Sequence, residues 1–199
     1  MFTRHVNFVG AKDIDSGIEF VRDVVTPVLH SQHGWRGTTV SADRINRFYS
    51  VLTLWESEAD RDGSESALLK VRDEGHKVIG GEISVEYFEQ VTVQIATKPT
   101  TSSKLMVTKV SMDAAKVDEN IAFFAREIAP QITSAPGFEA LRQLVNRTTG
   151  ESMVGTTWSN ADARRKALAM AEERQRDGQM PVTLRERSER DILFIDLPL

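Results

Sequence analysis

Apolar and polar residues alternate over residues 2–9, FTRHVNFV. That period of two predicts a strand with Phe2, Val6 and Phe8 on one face and Thr3, His5 and Asn7 on the other. The period then lengthens. Ile14, Ile18, Val21, Val25, Val28 and Leu29 recur at helical spacing, and Gly34 follows where a left-handed residue closes a helix at least cost. Two strands come next, at about 35–42 and 47–55, joined by a short polar link that suits a hairpin. Leu68, Val71, Gly75, Val78 and Ile79 stripe a second helix, and ISVEYFEQVTVQI (83–95) reads as a final strand.

The same pattern recurs after ATKPTTSSK (96–104), a Pro/Thr/Ser-rich linker. Setting Pro27 against Pro130 gives an offset of 130 − 27 = 103, which also aligns Gly34 with Gly137, Arg44 with Arg147, Thr53 with Thr156 and Trp55 with Trp158. Residues 105–112 supply the strand, Val117, Ile121, Phe124, Ile128 and Ile132 the helix, and 138–145 and 151–158 the hairpin. An Ala-rich helix (ADARRKALAMAEERQR) and a last strand at 191–197 complete the copy. Ser57 with Asp60, and Ser159 with Asp162, form S-x-x-D helix starts. The order βαββαβ, written twice, is ferredoxin-like, with helices on one face of each antiparallel sheet. The other face needs cover, which two copies on one chain can supply to each other. The expected fold is α+β: two ferredoxin-like βαββαβ repeats packed as a pseudo-dimeric α/β barrel. The first repeat spans 1–95, the linker 96–104 and the second repeat 105–199. Whether this internal pseudo-dimer pairs again as a homodimer is open.

The repeats resemble the antibiotic biosynthesis monooxygenase-type domain of the dimeric α/β barrel superfamily. The resemblance rests on the βαββαβ order, the turns His33-Gly34-Trp35 and Pro136-Gly137-Phe138 into the second strand, and strands ending Thr53-x-Trp55 and Thr156-x-Trp158 before a serine and a helix. It covers nearly the whole chain. It implies a barrel and, in one branch, cofactor-independent oxygenation of aromatic phenols. A second branch binds and degrades haem through an Asn on the first strand, a Trp on the second helix and a His near that helix's end. Asn7 and His76 match two of those places, but Ser64 stands where the Trp belongs.

Charge and composition narrow the remaining options. The net charge of −4, with no Lys/Arg patch, argues against nucleic acid as a partner. The absence of cysteine excludes thiol catalysis, disulfides and Cys-based metal sites. No apolar run predicts a membrane span and residues 1–13 do not read as a secretory leader, so a cytoplasmic protein is expected. RERSER (185–190) reads as a solvated surface. His30 and His33 fit a helix C-terminus better than a metal, and no cofactor or metal is expected.

Chemistry is sought where the copies differ. Tyr49 becomes Ser152, and Lys109 and Ser111 are the expected counterparts of His5 and Asn7. The candidate catalytic residues are His5 and His76, either as a base; Asn7, Tyr49 and Trp55 are candidate substrate-binding residues. The expected partner is a small hydrophobic or aromatic ligand in the first repeat. A non-enzymatic ligand-binding or assembly protein of the same fold is the alternative, and haem binding is a third reading, weakened by Ser64.

Overall fold

The computed structural model describes residues 1–178 and 181–197. The elements of the first copy are β1 (Phe2–Val9), α1 (Ile14–Phe20), a π-helical turn (Val21–Val25), α2 (Thr26–His30), β2 (Trp35–Asp43), β3 (Phe48–Trp55), α3 (Glu58–Gly63), α4 (Glu65–Ile79) and β4 (Glu82–Ile95). The second copy runs β5 (Lys104–Ser111), a short 3₁₀ turn, α5 (Val117–Phe123), a second π-helical turn (Phe124–Ile128), α6 (Ala129–Thr133), β6 (Phe138–Asn146), β7 (Glu151–Trp158), α7 (Ala161–Arg176) and β8 (Thr183–Asp196). The eight strands form a closed barrel in the order β1-β3-β2-β8-β5-β7-β6-β4. This is the α+β pseudo-dimeric barrel of two βαββαβ repeats.

The chain forms two compact units, Met1–Tyr87 with Ile192–Leu199, and Phe88–Asp191. β4 and β8 are each 14 residues long and contribute to both units. In the first unit β1 pairs antiparallel with β3, which also pairs with β2. The register sets Arg4 against Thr53, Val6 against Val51 and Phe8 against Tyr49. Alternation puts this set on the face toward the helices, where Phe8, Val21, Val40, Tyr49 and Ile79 form a core. Leu29, Trp35, Trp55 and Leu68 form a second cluster. The second unit buries Met106, Phe124, Ile128, Leu141 and Trp158 in the same way.

The repeated Thr-x-Trp now has a physical reason. Residues two apart on a strand share a face, so each threonine hydroxyl accepts the indole N–H of its tryptophan. Trp55 Nε1 donates to Thr53 Oγ1 at 3.0 Å, and Trp158 Nε1 to Thr156 Oγ1 at 3.0 Å. Both indoles are thereby buried with their polar atom satisfied.

Four local expectations need correction. The first helix of each copy is not uniform: its middle turn is π-helical, with Thr26 N–H reaching Val21 O and Ala129 N–H reaching Phe124 O. Pro27 and Pro130 follow at once. A proline has no N–H to donate and its ring crowds the carbonyl four residues back, so the preceding turn widens. Asn160, not Ser159, caps α7, accepting from Ala163 N–H at 2.9 Å. β8 begins at Thr183, so RERSER is strand: it pairs with β5, and Arg190 is buried. Finally, β5–β7 pairing sets Val107 opposite Gly155 as β1–β3 pairing sets His5 opposite Leu52. With Leu52 and Gly155 equivalent (52 + 103 = 155), His5 corresponds to Val107 and Asn7 to Lys109.

Candidate functional site

In the first unit a cavity of about 60 Å³ opens between the β1–β3 face and the helices. Its walls are largely aliphatic and aromatic, including Val6, Phe8, Val25, Val51 and Val71. At about 10–15 Å³ per water it holds about four to six waters, the bulk of one six-membered ring. The π-helical turn contributes Val21 and Val25 to the wall, and Gly75 lets α4 approach Phe20 closely, since a Cβ there would stand 3.1 Å from its ring.

The polar edge of the cavity carries charge. Arg4 and Arg72 both line it. Arg4 is 2% exposed; its Nη2 donates to Arg61 O at 2.6 Å and its Nη1 to Ser64 Oγ at 3.0 Å. Glu65 stands between the guanidiniums, 2.9 Å from Arg4 Nη2 and 2.5 Å from Arg72 Nη2. Arg4 Nε and Arg72 Nη1 are buried and have no hydrogen-bond partner. Burial presses the Arg4 guanidinium below its ordinary value, while Glu65 and Tyr87 oppose that shift and Arg72 adds to it. Hydrogen bonding from Arg72 holds Glu65 below the usual carboxylate range, with the charge of Arg4 acting in the same direction. Two cations against one anion leave this edge with a net positive charge. The Arg4 guanidinium also lies 5.6 Å from the centre of the Trp55 ring.

The candidates named from sequence fall in three places. Tyr49 and Trp55 share the helix-facing side of β3 but back the cavity without lining it. Tyr49 is fully buried, donates its hydroxyl to Gly17 O at 2.9 Å, and is pushed to a higher pKa by burial. His5 and Asn7 lie on the opposite face of β1, where Asn7 Nδ2 donates to Glu86 at 2.7 Å. His5 Nε2 shares a hydrogen bond with Ser50 Oγ, and its Nδ1 lies 3.5 Å from Glu86. The order hydroxyl, imidazole, carboxylate is that of a nucleophilic triad. Ser50 is 1% exposed, however, so a substrate carbonyl cannot reach Oγ without the strands parting. Ser50, His5, Asn7 and Glu86 thus form a largely buried polar cluster on this face. His76 is exposed at the end of α4 and bonds Gly81 O at 2.8 Å, its ring 6.5 Å from that of Phe8.

The structure thus brings His5 and Asn7 together through Glu86, and sets both apart from the cavity. Ser64 joins α3 to α4; its hydroxyl donates to Arg61 O at 2.6 Å and accepts from Arg4. Arg4, Glu65 and Arg72 have no sequence motif to mark them. The available cue was an arginine at an inward position of an otherwise apolar strand face.

No known family profile matches the chain. Over 150 residues it is 29% identical to an uncharacterised protein of Mycobacterium tuberculosis, covering 75% of this chain and 67% of that one. A second uncharacterised protein of that organism is 23% identical over 149 residues, 70% of this chain and 63% of its own. Among solved structures, a candidate monooxygenase from Fusobacterium nucleatum superposes with a TM-score of 0.74 at 12% identity, covering 98% of this chain and 94% of that one. An anthrone oxidase-like protein gives 0.67 at 13% identity, covering 98% and 93%. A Listeria monocytogenes ferredoxin-fold protein related to antibiotic biosynthesis monooxygenases gives 0.54 at 5% identity, covering 98% and 96%. The fold is therefore that of the antibiotic biosynthesis monooxygenase-like ferredoxin-fold proteins, in tandem. Among the described residues no helix is long and apolar enough to cross a membrane.

Proposed function

We propose that the first-unit cavity binds a small aromatic molecule with an ionisable hydroxyl or enol, and that the protein oxygenates it without a cofactor. The observation that carries this reading is the pairing of an apolar cavity with two guanidiniums and one carboxylate at its edge. In a low-dielectric site, that excess positive charge favours the oxyanion over the neutral phenol. The anion is also the electron-rich form that reacts with dioxygen. For a substrate with a CH₂ beside the ring system, the chemistry balances without any other oxidant. One C–H proton leaves to solvent and the carbanion adds O₂. The peroxide takes up a proton, and water departs with loss of the second C–H proton: CH₂ plus O₂ gives C=O plus H₂O. The structural likeness to an anthrone oxidase-like protein supports this class.

In this reading Arg4 and Arg72 hold the oxyanion, Val6, Phe8 and Val51 hold the ring, and Tyr49 and Trp55 stiffen the wall behind them. The His5–Asn7–Glu86 cluster lies across β1 and does not touch the ligand. A second reading, ligand binding without turnover, is favoured by the size of the cavity, which suits one ring and not a fused polycycle.

The first test is spectroscopic. 4-Nitrophenol absorbs in the visible only when ionised, so its titration reports the local field. Saturating protein is expected to shift its apparent ionisation to lower pH, and Arg4→Met to remove that shift. An unmoved titration with the wild-type protein would exclude the charged-pocket reading. Oxygen consumption with phenylacetone, a one-ring compound whose ring-adjacent CH₂ is enolisable, then separates the two functions: protein-dependent uptake, reduced at least tenfold in Arg4→Met, supports oxygenation, and binding without uptake supports the second reading.

A further inference from the structure

The second unit has its own cavity in the corresponding place, about 50 Å³ in volume, between the β5–β7 face and the helices. Phe124 and Ile128 of the second π-helical turn line it, as Val21 and Val25 line the first. Its polar groups differ. Met106 replaces Arg4 in the strand register, opposite Thr156 as Arg4 is opposite Thr53. The helix instead supplies the charge: Arg174 occupies the place of Val71 (71 + 103 = 174), and both residues line their cavities. Arg187 on β8 lines the cavity as well.

Arg174 is 8% exposed, and its buried Nε has no hydrogen-bond partner. Arg187 is half-buried and its Nε makes a long contact of 3.4 Å with Thr108 Oγ1. Burial lowers the pKa of both guanidiniums, and the charge of Arg187 further lowers that of Arg174. Glu172 and Glu173 oppose these shifts at a distance, but both are exposed, and neither forms an ion pair with these arginines among the described residues. In the first unit Glu65 stands between the two arginines. Among the described residues no carboxylate lines this cavity, so the two cations face it with no ion-pair partner and only the exposed Glu172 and Glu173 opposing their charge. A buried cation without a partner costs stability and persists where something else supplies the opposite charge.

We infer that the second unit is a separate binding site for a small apolar carboxylic acid, its carboxylate held by Arg174 and Arg187 and its apolar body seated against Phe124 and Ile128. A planar carboxylate matches guanidinium geometry, and its oxygens supply the acceptor that Arg174 Nε lacks. The cavity volume corresponds to about three to five waters, so a one-ring acid fits and a long-chain acid does not.

Benzoate and its neutral isostere benzamide are the probes. In ¹H–¹⁵N spectra of the wild-type protein, benzoate is expected to move the Arg174 Nε–H resonance downfield in a saturable titration, and benzamide to leave it in place. Binding is expected to fall about tenfold or more in Arg174→Met and in Arg187→Met, as for loss of a charge-assisted hydrogen bond. An Arg174 resonance that does not respond to benzoate, or equal binding of benzamide, overturns the inference. The resonance is read on the unmodified chain, so the test does not depend on a variant folding. Resonance movement confined to the first-unit cavity would also overturn it.

Discussion

Trp55→Ala and Trp158→Ala are each expected to cost about 3–5 kcal/mol, the range for truncating a fully buried large aromatic. Trp55 is 0% and Trp158 1% exposed, and each indole N–H has a single partner two residues back on its own strand. Truncation leaves a cavity and strips Thr53 or Thr156 of its indole donor. The total stability of a domain is about 5–15 kcal/mol, so either change removes a large part of it. Urea unfolding monitored by circular dichroism measures this. If the units unfold in separate steps, Trp55→Ala is expected to move the step of the first unit and Trp158→Ala that of the second. Losses below about 1 kcal/mol at either site would show that the repeated tryptophan is not a packing anchor, and would reopen it as a ligand-contacting residue.

The second large effect lies in the hairpin turns. Gly150 has φ 73°, and a Cβ there would stand 2.1 Å from the backbone oxygen of Met112. Its equivalent in the first copy is Arg47 (47 + 103 = 150), which also has positive φ, 54°, yet is not glycine. Its guanidinium donates to Ala11 O and Gly10 O, both at 3.1 Å. Gly150→Ala adds left-handed strain to an overlap with main-chain atoms that have little room to retreat, and about 2–4 kcal/mol is expected. Arg47→Ala already has room for its Cβ and loses two partly exposed hydrogen bonds, so about 1 kcal/mol is expected. Thermal melts of the two variants side by side provide the comparison; equal losses would mean that the two turns tolerate a side chain alike.

Residues near one another in sequence account for what was legible beforehand. The Thr-x-Trp pairs, the Ser57 cap and the apolar stripes each depend on spacings of two to four, and the repeat fixed which element each belongs to. The fold followed from these. The β8 strand was obscured because RERSER has no apolar alternation: its ladder comes from pairing with β5, a partner chosen by tertiary structure. The widened helical turns had one local cue, the prolines at 27 and 130, and a period near 3.6 fits an α- or π-turn almost equally over five residues. The site was least legible. Arg4 and Glu65 are 61 positions apart: Arg4 is marked only by its place on an apolar strand face, and Glu65 alone looks like an ordinary surface charge. His5, Asn7, Tyr49 and Trp55 stood out by residue type, but strand alternation placed the first two and the last two on opposite sides of one sheet. Arg174, on an Ala-rich helix with several other arginines, differs from them only in the direction it faces.

The sharing of β4 and β8 between units has a consequence for how the chain is assembled. Cutting at 96–104 would yield two polypeptides that match the repeats but not the compact units, because Ile192–Leu199 belongs with the first unit and Phe88–Ile95 with the second. Each fragment would then carry a strand end whose native neighbours reside on the other. Such halves are expected to be interdependent, regaining structure as complementing fragments when mixed and not folding as modules that can be transplanted singly. A duplicated gene whose copies exchange strand ends in this way can vary its two cavities independently, yet cannot easily discard either copy.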